Sequence, residues 1–404
     1  MTSLAKKLQM ELRTKLRTKL RTAPRATPRA IPRPRKLPAA VAAVAAAAAL
    51  GACLRPGDGR ALEDLGVGAA TTPDAQVQVA GGLAAVRLLA DHRLELWSQA
   101  PVLDVRISLL DTAAGDWTIT FRNATTDAVL AAAGATYTRA PGERPTVAVF
   151  RVPLAPGANE LHLAPPDAER PERFRVAAMA DIQTALPSVH EVFAEINATP
   201  DLRFVVGMGD ITERARQDEY DLFEHQLETL AIPFYTTIGN HELWSDLHRF
   251  LDRFGRANFQ FWFKGVAFTF VDSGDAGLDP TVEEWLDGWL ADARDAPHVF
   301  LTHMPPIDPF GMRYGSFRST RDGRRLISRL VEGGVDLTLY GHIHTLVEYE
   351  NGGIPAYISG GGGAAPMKLD GIDRHFLVVE LAPDLGAFAP LGGGIGGVEV
   401  HRVD

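Results

Sequence analysis

Between residues 175 and 340, one short apolar run after another breaks off at an aspartate, an asparagine or a histidine. Ala180 leads into Asp181-Ile182-Gln183, and Gly207-Met208-Gly209 leads into Asp210. Ile238-Gly239 is followed by Asn240-His241-Glu242, Leu301-Thr302 by His303, and Tyr340-Gly341 by His342-Ile343-His344. The runs themselves, 175–180, 203–208, 233–238, 267–271, 299–302 and 336–340, read as buried strands. Helical stretches separate them, among them 187–197 and 281–295. Strands alternating with helices specify an α/β fold. In open α/β sheets, ligands gather outside the carboxyl ends of the strands. Asp181, Asp210, Asn240, His303, His342 and His344 would therefore converge on one rim, with glycines leaving room where the backbone is crowded.

Taken one at a time, these residues have ordinary explanations. Asp210-Ile211-Thr212-Glu213 has the form of a helix capping box, and Gly239-Asn240 is a common turn pair. Taken together they are a donor set. His342 and His344 stand two residues apart, and on extended backbone such side chains point the same way. Carboxylates and imidazoles meeting at strand ends form a ligand set for transition metals.

The series resembles the calcineurin-like metallophosphoesterase superfamily, which includes the purple acid phosphatases. Its pattern is Asp-x-His, Gly-Asp, Gly-Asn-His-(Asp/Glu), a lone His, then Gly-His-x-His, and it covers about residues 172 to 382. The resemblance implies a four-layer αββα sandwich, two mixed sheets between layers of helices. It implies a hydrolase of phosphate mono- or diesters holding two divalent or trivalent ions, with Fe, Mn or Zn not distinguished. Asp210 would bridge the ions; Asp181 and His344 would hold the first, and Asn240, His303 and His342 the second. A metal-activated water would attack phosphorus in line, with His241 assisting the leaving group. One departure stands out: Gln183 occupies the place of a family histidine. It would bind weakly, act through water, or leave that ion a free position, and Glu242 would orient His241 or its loop. Glu213 is a further candidate ligand or a helix cap. Arg313, Arg318 and Arg321 would meet a substrate phosphate or simply line a solvated loop. The competing reading is a phosphate- or phospholipid-binding protein on a degenerate phosphoesterase scaffold.

The remainder of the chain divides by composition. Residues 1–36 carry twelve Lys or Arg and only Glu11, against 29 basic and 49 acidic residues thereafter. So acidic a body argues against nucleic-acid binding. An alanine-rich apolar run, 37–52, is right for a signal-peptide core and short for a membrane span. It ends Leu50-Gly51-Ala52-Cys53, which resembles a bacterial lipobox and implies a lipid anchor on Cys53, the only cysteine, and a place in the bacterial cell envelope. Residues 54–74, small and polar, read as a linker. Residues 75–165 show short alternating runs bounded by Gly, Pro, Asp and Asn, the pattern of a small antiparallel β-sandwich domain. The phosphoesterase-like domain would then occupy 172–404.

Overall fold

The computed structural model describes residues 56–403, apart from 141–143, 313 and 369–370. Two mixed sheets form the C-terminal half. The first runs Phe234–Thr236, Leu202–Gly207, Phe174–Met179, His375–Leu381, Ile395–Arg402, its first three strands parallel and the rest antiparallel. The second runs Phe259–Phe263, Val266–Val271, His298–Thr302, Leu337–Tyr340, Ile354–Ser359, Leu346–Asn351. Its four inner strands are parallel and its two edges antiparallel.

Side-chain alternation decides the layers. Val176 and Ala178 of the first sheet share an inner core with Phe261, Phe268, Leu301 and Leu339 of the second. Ala177 and Met179, on the opposite face, pack with Phe193, Ile196 and Phe223 from helices His190–Ala198 and Gln217–Leu227. The second sheet turns Phe300, Tyr340 and Ile358 toward Leu286, Leu290, Leu326 and Leu330 of helices Pro280–Asp292 and Thr320–Glu332. The order is helix, sheet, sheet, helix. Trp285 and Trp289, partly buried with rings 6.3 Å apart, serve this packing.

Residues 69–164 form two more sheets, one of six strands and one of four. One pairing departs from the antiparallel pattern the sequence suggests: Arg93–Ser98 and Gly115–Arg122 run parallel. Between them the chain crosses to the other sheet to form Leu103–Leu109, which is what a parallel pair requires. This half is not walled off from the rest. Val77, Ile107, Phe121 and Phe150 belong to the same core as Phe174, Phe204 and Phe268. At the seam, Asn123 accepts from the Phe234 amide at 2.7 Å and donates to the carbonyls of Phe234 and Ser98, each at 2.8 Å. Gln99 and Arg256 exchange a similar pair of bonds, 2.8 and 2.6 Å. Residues 54–404 accordingly gather into one compact unit.

The segment read as a linker, 54–74, is built into the fold over its described part. Pro56–Asp64 is a helix, and Ala69–Thr71 pairs with Ala75–Val79. Polar contacts dock the helix, which is why apolar patterning does not announce it. Arg60 Nε donates to Asp272 at 3.1 Å. Asp64, fully buried, accepts from the amides of Ala257 and Asn258 at 2.8 and 3.0 Å and from the Asn258 side chain at 2.7 Å. The readings made for residues 1–53, Cys53 among them, and for Arg313 fall outside the described residues. Among those described, no helix is long and apolar enough to cross a membrane.

Burial pushes the Asp64 carboxyl up to about 7, against the hydrogen bonds that pull it down. An acid raised on folding stabilises the fold most below its unfolded value of about 3.9, and that contribution is lost as pH rises through the folded value. We predict that Asp64→Asn gains on the wild type as pH climbs from about 4 to about 8, by roughly 2–4 kcal/mol of unfolding free energy. Urea titrations giving one constant difference across that range would count against it.

Candidate metal centre

The carboxyl ends of the strands bring all six expected residues to one rim, with Asp210 in the middle. Its Oδ2 lies 3.2 Å from His303 Nε2, 3.9 Å from His241 Nε2 and 2.7 Å from Gln183 Nε2. Its Oδ1 accepts the His241 backbone amide at 2.9 Å. His303 Nε2 is also 3.1 Å from Asn240 Oδ1. On the other side, Asp181 Oδ1 lies 3.4 Å from His344 Nε2, and Asp181 Oδ2 accepts the His342 amide at 2.8 Å. Donor atoms of Asp210, His303 and His342 all fall within 4.8 Å of one another. Two glycines make this approach possible. A Cβ on Gly239 would meet Asp210 Oδ1 at 2.1 Å, and one on Gly341 would meet Ala180 Cβ at 2.6 Å and Asp181 Oδ2 at 2.8 Å.

Every imidazole of the site is held from behind by a main-chain carbonyl. His303 Nδ1 bonds the Met208 oxygen at 2.7 Å, and His342 Nε2 the Tyr314 oxygen at 2.8 Å. His344 Nδ1 bonds the Ala365 oxygen and His241 Nδ1 the Glu213 oxygen, both at 2.6 Å. A carbonyl oxygen only accepts, so these nitrogens carry hydrogen. When neutral, the rings of His303, His342 and His344 then turn a lone pair inward, which is how ligating histidines are oriented.

This donor set fits cations. Asp181 Oδ1 is buried and makes no hydrogen bond among the described residues. His303 Nε2 faces two oxygens at once, one from Asp210 and one from Asn240. Without a cation a proton is drawn to that place: burial pulls the His303 ring down, but the Asp210 carboxylate outweighs it and raises the ring to about 9. Asp210, pushed up by burial and pulled down by His303 and His241, ends below the usual carboxylate range. Burial, then the charge of His303, lowers His342. Asp210, Asn240, His303 and His342 can surround one ion; Asp181, Asp210 and His344, with Gln183 beside them, can surround another. Mixed carboxylate, amide and imidazole donors suit Fe, Mn or Zn.

Residues 174–346 match the calcineurin-like phosphoesterase family. The chain carries a calcineurin-like phosphoesterase domain. It is 25% identical over 184 residues, 41% of its length, to a protein of Arcobacter nitrofigilis named probable glycerophosphodiester phosphodiesterase. It is 25% identical over 155 residues, 36% of its length, to a 3′,5′-cyclic-nucleotide phosphodiesterase of a Nostoc species. A glycerophosphodiester phosphodiesterase of Enterobacter lignolyticus is 28% identical over 195 residues, which are 44% of this chain and 68% of that one. In the first two matches the chain spans 64% and 57% of the relative's length.

Within the phosphoesterase domain, Glu242 has a larger part than its sequence position suggests. One of its oxygens accepts the amides of Gly239 and Asp210, each at 2.8 Å; the other accepts the Thr212 amide and hydroxyl, each at 3.0 Å. It thus clamps the Asp210 loop to the Asn240 loop, and burial followed by the charge of Asp210 raises its carboxyl. Glu213 offers its carbonyl to His241, while its carboxylate stands 3.7 Å from the same ring. The capping box suggested at Asp210 does not form. The helix starts at Gln217, and Glu219 accepts the Arg216 amide at 2.9 Å. Arg318 donates to the Asp275 carbonyl at 2.9 Å, and Arg321 lies exposed on helix Thr320–Glu332.

Backbone strain marks the same rim. Asp181, Gln183, Asp210 and His342 all have positive φ, at 63°, 44°, 54° and 71°. Non-glycine residues hold such angles at a cost of about 1 kcal/mol or more each, and typically at working sites. The Gln183 amide nitrogen donates to Asp210 Oδ2 at 2.7 Å and lies 3.3 Å from His344 Nε2. It points hydrogens at two atoms that a cation would share, so its amide must turn over to offer oxygen instead. We predict that Gln183→His tightens the weaker of two Mn or Zn binding steps by about tenfold or more. Calorimetric titration showing an unaltered weaker step would refute this.

Proposed function

We propose that this protein is a metal-dependent phosphoesterase that hydrolyses phosphate diesters, and monoesters less readily, with two cations held side by side. The observation that carries the reading is the ring of carbonyl-anchored imidazoles around Asp210, with a buried, unbonded oxygen of Asp181 beside it. Bound there, the cations supply Lewis acidity toward a phosphoryl oxygen and acidify a water. The chain's residues do the rest. Asp181 and Asp210 offset part of the cationic charge, and what remains attracts the phosphate. His241 is held by the Glu213 carbonyl, so its Nε2 faces the site, 3.9 Å from Asp210 Oδ2. Protonated there, it donates to the departing ester oxygen. The names of the relatives, phosphodiesterases for glycerol esters and cyclic nucleotides, favour diesters. The binding-protein reading has less support, because a phosphate receptor has no use for an aimed proton donor.

The test is metal analysis of purified protein, followed by turnover of bis(p-nitrophenyl) phosphate and p-nitrophenyl phosphate after Mn or Zn loading. Two ions per chain with diester turnover are expected. A loaded protein that binds phosphate but cleaves neither ester would move the assignment to the binding reading. We also propose that an acyl chain on Cys53 ties the protein to the bacterial envelope. Cys53→Ser should then shift it from the membrane to the soluble fraction, and an unchanged distribution would refute the anchor.

A further inference from the structure

Beyond the metal rim, one large aromatic side chain stands where packing does not explain it. Trp244 closes the short turn His241–Trp244 and is 62% exposed. Its ring lies nearly parallel to the His241 imidazole, with centroids 5.5 Å apart and planes at 16°. His241 does not need it for support, because the Glu213 carbonyl already fixes that ring. The Arg214 guanidinium lies 5.8 Å from the Trp244 ring centre. An indole face and a guanidinium plane therefore adjoin the group assigned to protonate the leaving oxygen. An alcohol that takes its proton from His241 Nε2 would depart within reach of this surface. Indole and guanidinium both attract flat π systems, by stacking and by cation–π contact.

The geometry points to a leaving-group subsite on Trp244 that takes an alcohol bearing a planar aromatic ring, of the aryl or nucleoside kind. The inference rests on the phosphoesterase reading and adds the class of its leaving group. A free aromatic alcohol has the same surface available, so binding can be read without turnover.

Two methyl phosphodiesters test it, their departing alcohols, benzyl alcohol and cyclohexylmethanol, being of similar size and acidity and differing in flatness. In the metal-loaded wild type, kcat/KM should favour the benzyl ester by about tenfold. Trp244→Ala should remove most of that preference and Trp244→Phe should keep most of it. Adenosine should quench tryptophan fluorescence in the wild type and lose most of that effect in Trp244→Ala. Equal losses on both esters would overturn the subsite and leave Trp244 as a buttress for His241. An unchanged ratio, with binding to anionic phosphatidylglycerol vesicles lost instead, would overturn it in favour of a lipid-facing role. A wild type that holds metal and cleaves no ester would sink the phosphoesterase reading itself, which the other two outcomes leave standing.

Discussion

Asp210→Ala should empty the site of metal and end turnover in one step. On the proposed two-cation reading Asp210 is the residue that both positions would share, and it is also the acceptor for Gln183 Nε2 and the His241 amide. Removing it takes away the carboxylate that would bridge the cations and leaves those donors facing apolar carbon. It also takes away the charge that lifts His303 to about 9, so that ring returns toward ordinary histidine behaviour. We expect kcat to fall by about four orders of magnitude or more, because residues that act as a unit fail as a unit. Elemental analysis should show the metal content of the same sample falling with it. A variant that keeps both ions and loses less than about tenfold in kcat would refute Asp210 as the bridge.

His241→Asn should separate what Asp210→Ala joins. No ligand role is assigned to His241, so both ions should stay while turnover falls by about 10²–10⁴. The loss should depend on the ester. A p-nitrophenolate leaves without much help, whereas an alkoxide needs a proton, so an alkyl ester should suffer far more. A uniform loss across leaving groups would argue that His241 only shapes the rim. Loss of metal along with activity would argue that it is a ligand after all.

Much of this site could be read from the chain because each donor sits at the end of an apolar run. Strands expected at 203–208 and 336–340 lie at Leu202–Gly207 and Leu337–Tyr340, so the side chains that follow them fall at the rim as expected. The supports behind those side chains were not legible. Met208, Tyr314, Glu213 and Ala365 act through carbonyl oxygens, which every residue possesses, so side-chain identity carries no trace of the role. The sequence suggests that Glu242 orients His241 or its loop; its second hold, on the Asp210 loop, was not legible, since its partners are mainly backbone amides brought near by the fold. Residues 56–64 read as linker for a related reason: Arg60 and Asp64 look solvated in a polar segment, yet both are committed to partners about two hundred positions away.

Asn123, Gln99 and Arg87 stitch the N-terminal sheets to Phe234, Arg256 and Arg253, and Val77 and Phe268 share one apolar interior. Calorimetry should accordingly show a single melting transition for the whole body. A gene trimmed to begin near residue 165 would yield an aggregating fragment rather than a smaller enzyme, its former seam now an open wound of greasy surface.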